Sequence, residues 1–511
     1  MAAGQRRCGM PGIKLPEAAQ IAADETCRVD TKESEELSVI TRDKKVLDEY
    51  LEKRIREKKL SGVSVAVRGP EGVLFEGGYG VRDVAMSCAP DENTIMGIAS
   101  MGKSMAALSC AILAAEGKLS LDDPVSKYIP AFRVPGNPKD AVTIRHLAMH
   151  TAGIPPMEPL EWSIAMNTPG RTSDWDLEMQ RTSPNQMDTI EQIIDYIANC
   201  PYPSLGGPGE YMSYSNEGYA ILCYVVDAAA GMSLEEFLDE RIFTPLGMTR
   251  STLDTDASRA RAIAADGNIT ALFEANADGT LAVDEQWSIL PPFRACACVK
   301  STAHDMARYY QCLSNGGVLD GEQVLPAKAA ELMIGSAFPE QKRAFYCLGL
   351  NKRVEDGHVF CEHSGGLHGV SSEGGLIKGE NYGFAVLCNE GDCDPTDILW
   401  TLYNWVLGYP LEQEHYWLDP AGCEFSEPEM LMGSYICHEG IPVIAKVYLE
   451  DGRLMVKKGD VVSRMVFCGE TWFILVNEEG KRTGRMHFWI RDGKAWGVQV
   501  YTRIYQRMEE E

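Results

Sequence analysis

The chain has 511 residues, 45% hydrophobic and 24% charged, the proportions of a soluble globular protein long enough for two domains. A formal net charge of −26 excludes the basic patch that nucleic acid or an anionic membrane requires, so neither is expected as a partner. No apolar run reaches membrane-spanning length and the opening residues carry no secretory pattern, which points to a cytoplasmic protein whose 16 cysteines are reduced thiols.

Residues 1–40 are polar and aperiodic and read as an N-terminal arm. From Thr41 a helix is predicted, with Val46, Leu47, Tyr50, Leu51 and Ile55 on one face. In "SGVSVAVRGPEGVLFEGGYG" the valines 63, 65 and 67 alternate, and Gly69-Pro70-Glu71-Gly72 turns the chain back, giving a β-hairpin. Residues 100–116 are apolar nearly all round, which predicts a helix buried on most sides and ended by Gly117. A long middle stretch follows, helical and loop-rich. Within it, residues 155–208, with Trp162, Trp175 and several prolines, are expected to form a loop wall over a pocket.

Strand patterns return in "HVFCEHSGG", "VSSEGGLIKG" and "YGFAVLCN", and "PTDILWTLYNWVLG" reads as a helix with Ile398, Leu402 and Trp405 inward. Strands at both ends with helices between predict one antiparallel sheet assembled from both termini of a domain spanning 41–410. After Pro410 the texture changes to short alternating segments punctuated by Asp-Gly and Glu-Gly, which predicts a separate all-β, barrel-like domain over 420–511. Cys296-Ala297-Cys298 has no second Cys or His pair at zinc-ligand spacing nearby and reads as core, so no metal is expected.

"IASMGKSMAALSCAILAAEGKLS", residues 98–120, places Ser100 and Lys103 one helical turn apart at the start of the apolar helix. A Ser-x-x-Lys arises by chance in a chain this long, so its surroundings decide its meaning. At a helix N-terminus the unpaired N–H groups favour developing negative charge, and a lysine desolvated against Met105, Ala106 and Ala107 could take the serine proton near neutral pH. Further on, "PGEYMSYSNEGYAIL" sets Tyr214 and Asn216 at a loop-to-helix junction, where Asn216 could equally be an N-cap. "CEHSGGLHG" sets His363, Ser364 and Gly365 on a strand edge.

Ser100-x-x-Lys103, Tyr214-x-Asn216 and His363-Ser364-Gly365, in this order, resemble the three signature motifs of the serine β-lactamase and penicillin-binding-protein superfamily. The flanks "AAEGKLSLDDPVSKYIP", "VTIRHLAMHTAGIP" and "IFTPLGMTRSTLD" are similar to that family's connecting text, and the resemblance covers residues 41–408. It is closest to the class C branch, which also holds D-aminopeptidases and esterases. The resemblance implies an α+β fold: a three-layer, β-lactamase-like arrangement of an antiparallel sheet flanked by helices with an all-helical insert, followed here by the small all-β domain.

It also implies roles. Ser100 would attack a carbonyl carbon and form an acyl-enzyme, and Lys103 and Tyr214 would share the proton transfers, with cationic neighbours such as Lys103 and a protonated His363 assisting the tyrosine. Asn216, Ser364 and Gly365 would bind substrate, and the backbone N–H groups of Ser100 and Gly366 would form the oxyanion hole. His150, His146 and His368 are given structural roles. No organic cofactor is implied. His363 stands where most penicillin-binding proteins carry lysine, so poor turnover of β-lactams relative to uncharged esters or amides is expected, with activity on anionic substrates falling as pH rises through its pKa. The resulting expectation is hydrolysis of a small amide, such as a peptide or D-amino acid derivative. The alternatives are an esterase or lactonase, or a sensor or scaffold that binds an acyl group without turnover. The oligomeric state is left open.

Overall fold

The computed structural model describes residues 42–509 apart from 86, 276–279, 285, 336, 342–343 and 417, so the arm expected over 1–40 lies outside the described residues. Helix α1 (Lys44–Lys58) starts where the Asp43 carboxylate accepts the Lys45 N–H at 2.9 Å and ends at Lys59 in the left-handed region. Leu47, Leu51 and Ile55 are buried at four-residue spacing, whereas Val46, expected on the same face, is 53% exposed. It lies one residue off that stripe, a 100° rotation that carries it to solvent.

Strands β1 (Gly62–Gly69) and β2 (Gly72–Gly80) form the expected hairpin, turning at Pro70-Glu71. They complete an eight-stranded antiparallel sheet with β3 (Phe338–Gln341), β4 (Ala344–Tyr346), β5 (Asn351–Glu355), β6 (His358–Leu367), β7 (Val370–Ile377) and β8 (Tyr382–Cys388). The order is β3-β4-β5-β6-β7-β8-β1-β2, so the two sequence-distant halves meet where β8 pairs with β1, Val386 opposite Val65. One face buries Val63, Val65 and Val67 with Leu47, Leu51 and the helix Thr396–Leu407, including Ile398, Leu402 and Trp405. The other face, including Ala66, joins the larger core around α2 (Lys103–Ala115). Coverage on both sides gives the three layers that the family resemblance implied.

Every residue of α2 from Lys103 to Leu113 is buried. Past its end Gly117 takes φ 73°, its N–H reaching the Ala114 carbonyl at 3.1 Å, while the Lys118 N–H reaches Leu113 at 2.9 Å. The segment between the halves of the sheet is mostly helical. It also carries a small three-stranded sheet of Met96–Gly97, Val299–Ser301 and Thr252–Leu253. The stretch expected to be a loop wall is instead largely helical: α3 (Pro159–Asn167), α4 (Asp174–Thr182) and α5 (Ile190–Ala198). Local capping decides this. Pro159 opens α3, and Ser173 with Asp176 and Thr189 with Gln192 form capping boxes that start α4 and α5.

Residues Gly433–Arg507 close an eight-stranded barrel, the final strands being Lys494–Val500 and Arg503–Arg507, here β15 and β16, after β9 (Gly433–Cys437), β10 (Val443–Glu450), β11 (Arg453–Lys458), β12 (Val461–Gly469), β13 (Trp472–Val476) and β14 (Arg482–Arg491). The Asp451-Gly452 and Asp492-Gly493 turns have both residues at positive φ, as tight hairpins require. Tyr435, Val447, Val456, Phe473, Met486 and Phe488 fill the interior. The barrel belongs to the same compact unit as the sheet, Asp43–Glu511. Its last turn is bonded to the chain leading into Tyr214: the Tyr214 N–H reaches the Thr502 carbonyl at 2.8 Å, and the Ile504 N–H reaches Ser213 Oγ at 3.2 Å. Among the described residues no helix is long and apolar enough to cross a membrane.

Candidate active site

Ser100 sits in a short 3-10 turn, Ala99–Gly102, that runs straight into α2. Ala99 before it has φ 43°, an uncommon conformation for a residue with a Cβ, and it lifts Ser100 to the mouth of the helix. Gly102 lets this turn press against the segment holding Ala295, because a Cβ there would stand 2.1 Å from the Ala295 carbonyl oxygen. Lys103 is fully buried, and its ammonium nitrogen reaches three acceptors: Ser100 Oγ at 2.9 Å, Asn216 Oδ1 at 2.9 Å and the Cys296 carbonyl at 3.1 Å. Serine and lysine are therefore in direct hydrogen-bond contact. Cys296 and Cys298 are buried, with their thiols turned to the Phe293 and Leu290 carbonyls.

Helix α6 (Asn216–Ala230) brings the second motif. Its N-cap is Ser215, whose hydroxyl accepts from Gly218 N–H, so Asn216 is released from capping. Asn216 joins α2 to the barrel, since its Oδ1 accepts from Lys103 while its Nδ2 donates to Glu439 Oε1 at 3.0 Å. Glu439 in turn takes a two-pronged contact from Arg503, both at 2.7 Å. The Arg503 guanidinium lies 4.3 Å from the centre of the Tyr214 ring, whose opposite neighbour is the His150 imidazole at 4.1 Å between centroids. Lys103 Nζ is 4.8 Å from the same ring centre. Burial opposes charge on Arg503, but Glu439 outweighs it and holds the guanidinium above its ordinary range.

The third motif lies on β6 beyond Glu362, which pairs with Asn351 at the start of β5, so β5 leaves that strand edge open. His363, Ser364 and Gly366 line the cavity with Ser100, and a Cβ at Gly366 would meet nothing within 4 Å. Gly365 does not line it. A Cβ on Gly365 would stand 2.2 Å from the Ile98 carbonyl oxygen, so glycine there lets β6 lie against the turn that presents Ser100.

His363 departs from the expected cation. Its Nδ1 meets the Ser364 carbonyl at 2.5 Å, so Nδ1 carries the proton and Nε2 accepts from the Tyr346 hydroxyl at 3.2 Å. Tyr346 is aligned by His150 Nε2 at 3.1 Å, while His150 Nδ1 accepts the Ser215 N–H at 2.9 Å. Burial, then the charge of Lys103, pushes the His363 imidazole down to about 3, and burial likewise pushes His150 well below its usual range. A protonated His363 steering anions near neutrality is thus overturned: the ring has no solvent to stabilise the charge and its second nitrogen is already an acceptor. The cation beside Tyr214 is Arg503. His150, given a structural role from sequence, stands at the far end of this line of neutral groups, its Nδ1 accepting from Ser215 and its Nε2 donating to Tyr346.

The cavity encloses about 410 Å³ and is completed by Leu160 and Glu161 of α3 and by Glu439, Thr502 and Arg503 of the barrel. Sequence pattern singled out none of these five. They belong to elements whose own periodicity concerns their local cores, and only the docking of α3 and the barrel brings them to Ser100. A model of the beta-lactamase family matches residues 47–403, well over half of the chain. The chain belongs to the beta-lactamase family.

Among this family member's relatives, penicillin-binding protein 4* of Bacillus subtilis (strain 168) is 28% identical over 193 residues, 38% of each chain. The chain spans between 38% and 66% of the length of the first such curated relatives. The octameric penicillin-binding protein homologue from Pyrococcus abyssi superposes with a TM-score of 0.63 at 22% identity, covering 91% of this chain and 99% of that one. The D-amino acid amidase from Ochrobactrum anthropi SV3, solved with D-phenylalanine, superposes with a TM-score of 0.53 at 21% identity, covering 68% and 92%. At these identities the two structures show a shared fold.

Proposed function

We propose that the protein is a serine hydrolase that cleaves a small amide through an acyl-enzyme on Ser100. The observation that carries this reading is the 2.9 Å contact between Lys103 Nζ and Ser100 Oγ at the wall of a cavity. In its amine form Lys103 accepts the hydroxyl proton as Oγ bonds to the substrate carbonyl carbon. The negative oxygen that develops is met by the N–H groups of Ser100 and Gly366. The C–N bond then breaks as the proton taken up by Lys103 passes, by way of the Tyr214 hydroxyl, to the departing amine. Water attacks the resulting ester, releases the acid and restores Ser100. Asn216 holds Lys103 and Ser364 borders the carbonyl. Similarity in fold to a D-amino acid amidase supports an amide as the scissile group.

A small fluorophosphonate should add once, on the peptide containing Ser100, as read by intact mass and peptide mapping. Ser100→Ala should abolish both this label and hydrolysis of amino acid p-nitroanilides. Lys103→Ala should lower the labelling rate by roughly 10²–10⁴-fold, the span of a lost general base. Labelling that persists in Ser100→Ala refutes the proposal.

A further inference from the structure

Three carboxylates gather at the junction of α3, α6 and the barrel, and their bonding differs. Glu439 is held by Arg503 and Asn216. Glu217 is fully buried and accepts from Ser215 Oγ at 3.2 Å, away from the cavity. Glu161 lines the cavity with Ser100 and, among the described residues, has no ion pair and no hydrogen bond to its carboxylate. Its stem lies beside the barrel loop at Gly440, where a Cβ would stand 3.4 Å from Glu161 Cγ. A carboxylate with no partner, facing a reaction cavity, calls for a cation from the ligand.

The charge balance agrees. Of the charged groups that line the cavity, Arg503 and Glu439 are paired with each other, which leaves the Glu161 carboxylate. Burial, then repulsion from Glu439, pushes the Glu161 carboxyl up to about 7, and a bound cation relieves both. A substrate carboxylate would meet the opposite, because Arg503, the cation that lines the cavity, is committed to Glu439. We propose that Glu161 receives a protonated primary amine of the substrate, so that the site selects amides whose acyl part carries a free ammonium group. This rests on Ser100 being the nucleophile. Glu161 is a specificity residue, touching the substrate at a distance from the bond that breaks.

The test measures how well D- and L-alaninamide, and their N-acetyl forms, slow fluorophosphonate labelling of Ser100 at pH 7.5. The free amine should protect at concentrations roughly 10- to 100-fold lower than its acetylated counterpart, the range for one charge-assisted hydrogen bond. Glu161→Gln keeps the volume and should collapse that ratio towards one. In the wild type the ratio should also shrink as pH falls from 8 to 6, since protonation removes the Glu161 charge. The charges facing Glu161 are Glu439, Arg503 and Arg171, and the first two are paired with each other. Equal protection by free and acetylated amides in the wild type overturns the inference, and so does a ratio that survives in Glu161→Gln. Ser100 labelling that proceeds normally in those same experiments leaves the serine-hydrolase reading standing, whereas a wild type that does not label refutes that reading instead.

Discussion

The neutral state of His363 has a thermodynamic signature. An unfolded histidine titrates near 6.5, while His363 is held down to about 3. Between those values only the unfolded chain takes the proton. The contribution is therefore fully present above pH 6.5, and is lost at about 1.4 kcal/mol per unit as pH falls towards 3. His150, and His487, which burial pushes down to about 4, act in the same direction. Burial raises Glu161 to about 7 and Glu217 to about 8, and these act oppositely, weakening the fold as pH rises from the ordinary carboxylate range. A single variant separates them. Urea unfolding of His363→Gln at pH 4.5, 5.5 and 6.5 should show a slope against pH shallower than wild type by about 1.4 kcal/mol per unit. Identical slopes would mean that His363 titrates in the folded protein as it does in water.

Two adjacent glycines of β6 give a matched pair at the scale of elements. Gly365→Ala drives a Cβ to 2.2 Å from the Ile98 carbonyl oxygen and 2.5 Å from Ser372 Oγ, so β6 and the Ser100 turn must part. A stability loss of about 1–3 kcal/mol, the usual range for overpacking, should come with a large drop in labelling rate. Gly366→Ala projects into the cavity, where nothing lies within 4 Å, so the melting temperature should hold while labelling slows. Differential scanning calorimetry alongside fluorophosphonate kinetics distinguishes the two, and equal melting temperatures for both variants would contradict the packing described. This is also where sequence legibility divides. The β1–β2 hairpin, the buried α2 and the barrel turns were readable because period and turn chemistry are local. The three motifs drew attention only together, through their order and their resemblance to a known family, and Ser100, Tyr214, Asn216, His363 and Ser364 all line one cavity. Helices α3–α5 carried their signal in caps such as Ser173 with Asp176, which aromatic and proline content obscured. Gly365 looked like a substrate contact, and only the distance to Ile98, far away in sequence, reveals what excludes a side chain.

At the scale of the molecule, the barrel is wired to Ser100 through one line of contacts: Ser100, Lys103, Asn216, Glu439, Arg503 and the Tyr214 ring. Sequence texture marks where the barrel begins, but the region it predicts as separate supplies groups to the cavity itself. Glu439→Gln leaves Arg503 a buried charge without its counterion, and Arg503→Met does the converse, so each should lower kcat/KM for an amino acid p-nitroanilide. The double variant should lose less than the sum of the two, with a coupling of about 0.5–3 kcal/mol in a double-mutant cycle. Additive losses would show that the pair acts only within the barrel.

The route by which the last strand reaches its place sets a timetable for the enzyme. β16 must close onto β9, with Tyr435 opposite Arg507, before Arg503 can stand over Tyr214 and the Thr502 carbonyl can take the Tyr214 N–H. The Ile504–Ser213 contact beside them spans 291 residues, and contacts of that kind form late because the intervening loop entropy must first be overcome. During refolding from denaturant, far-UV ellipticity should therefore recover ahead of Ser100 labelling, leaving an interval in which the protein is folded to the eye of a spectrometer and still chemically silent. Simultaneous recovery of both signals would show that the serine and its lysine mature without waiting for the barrel to shut.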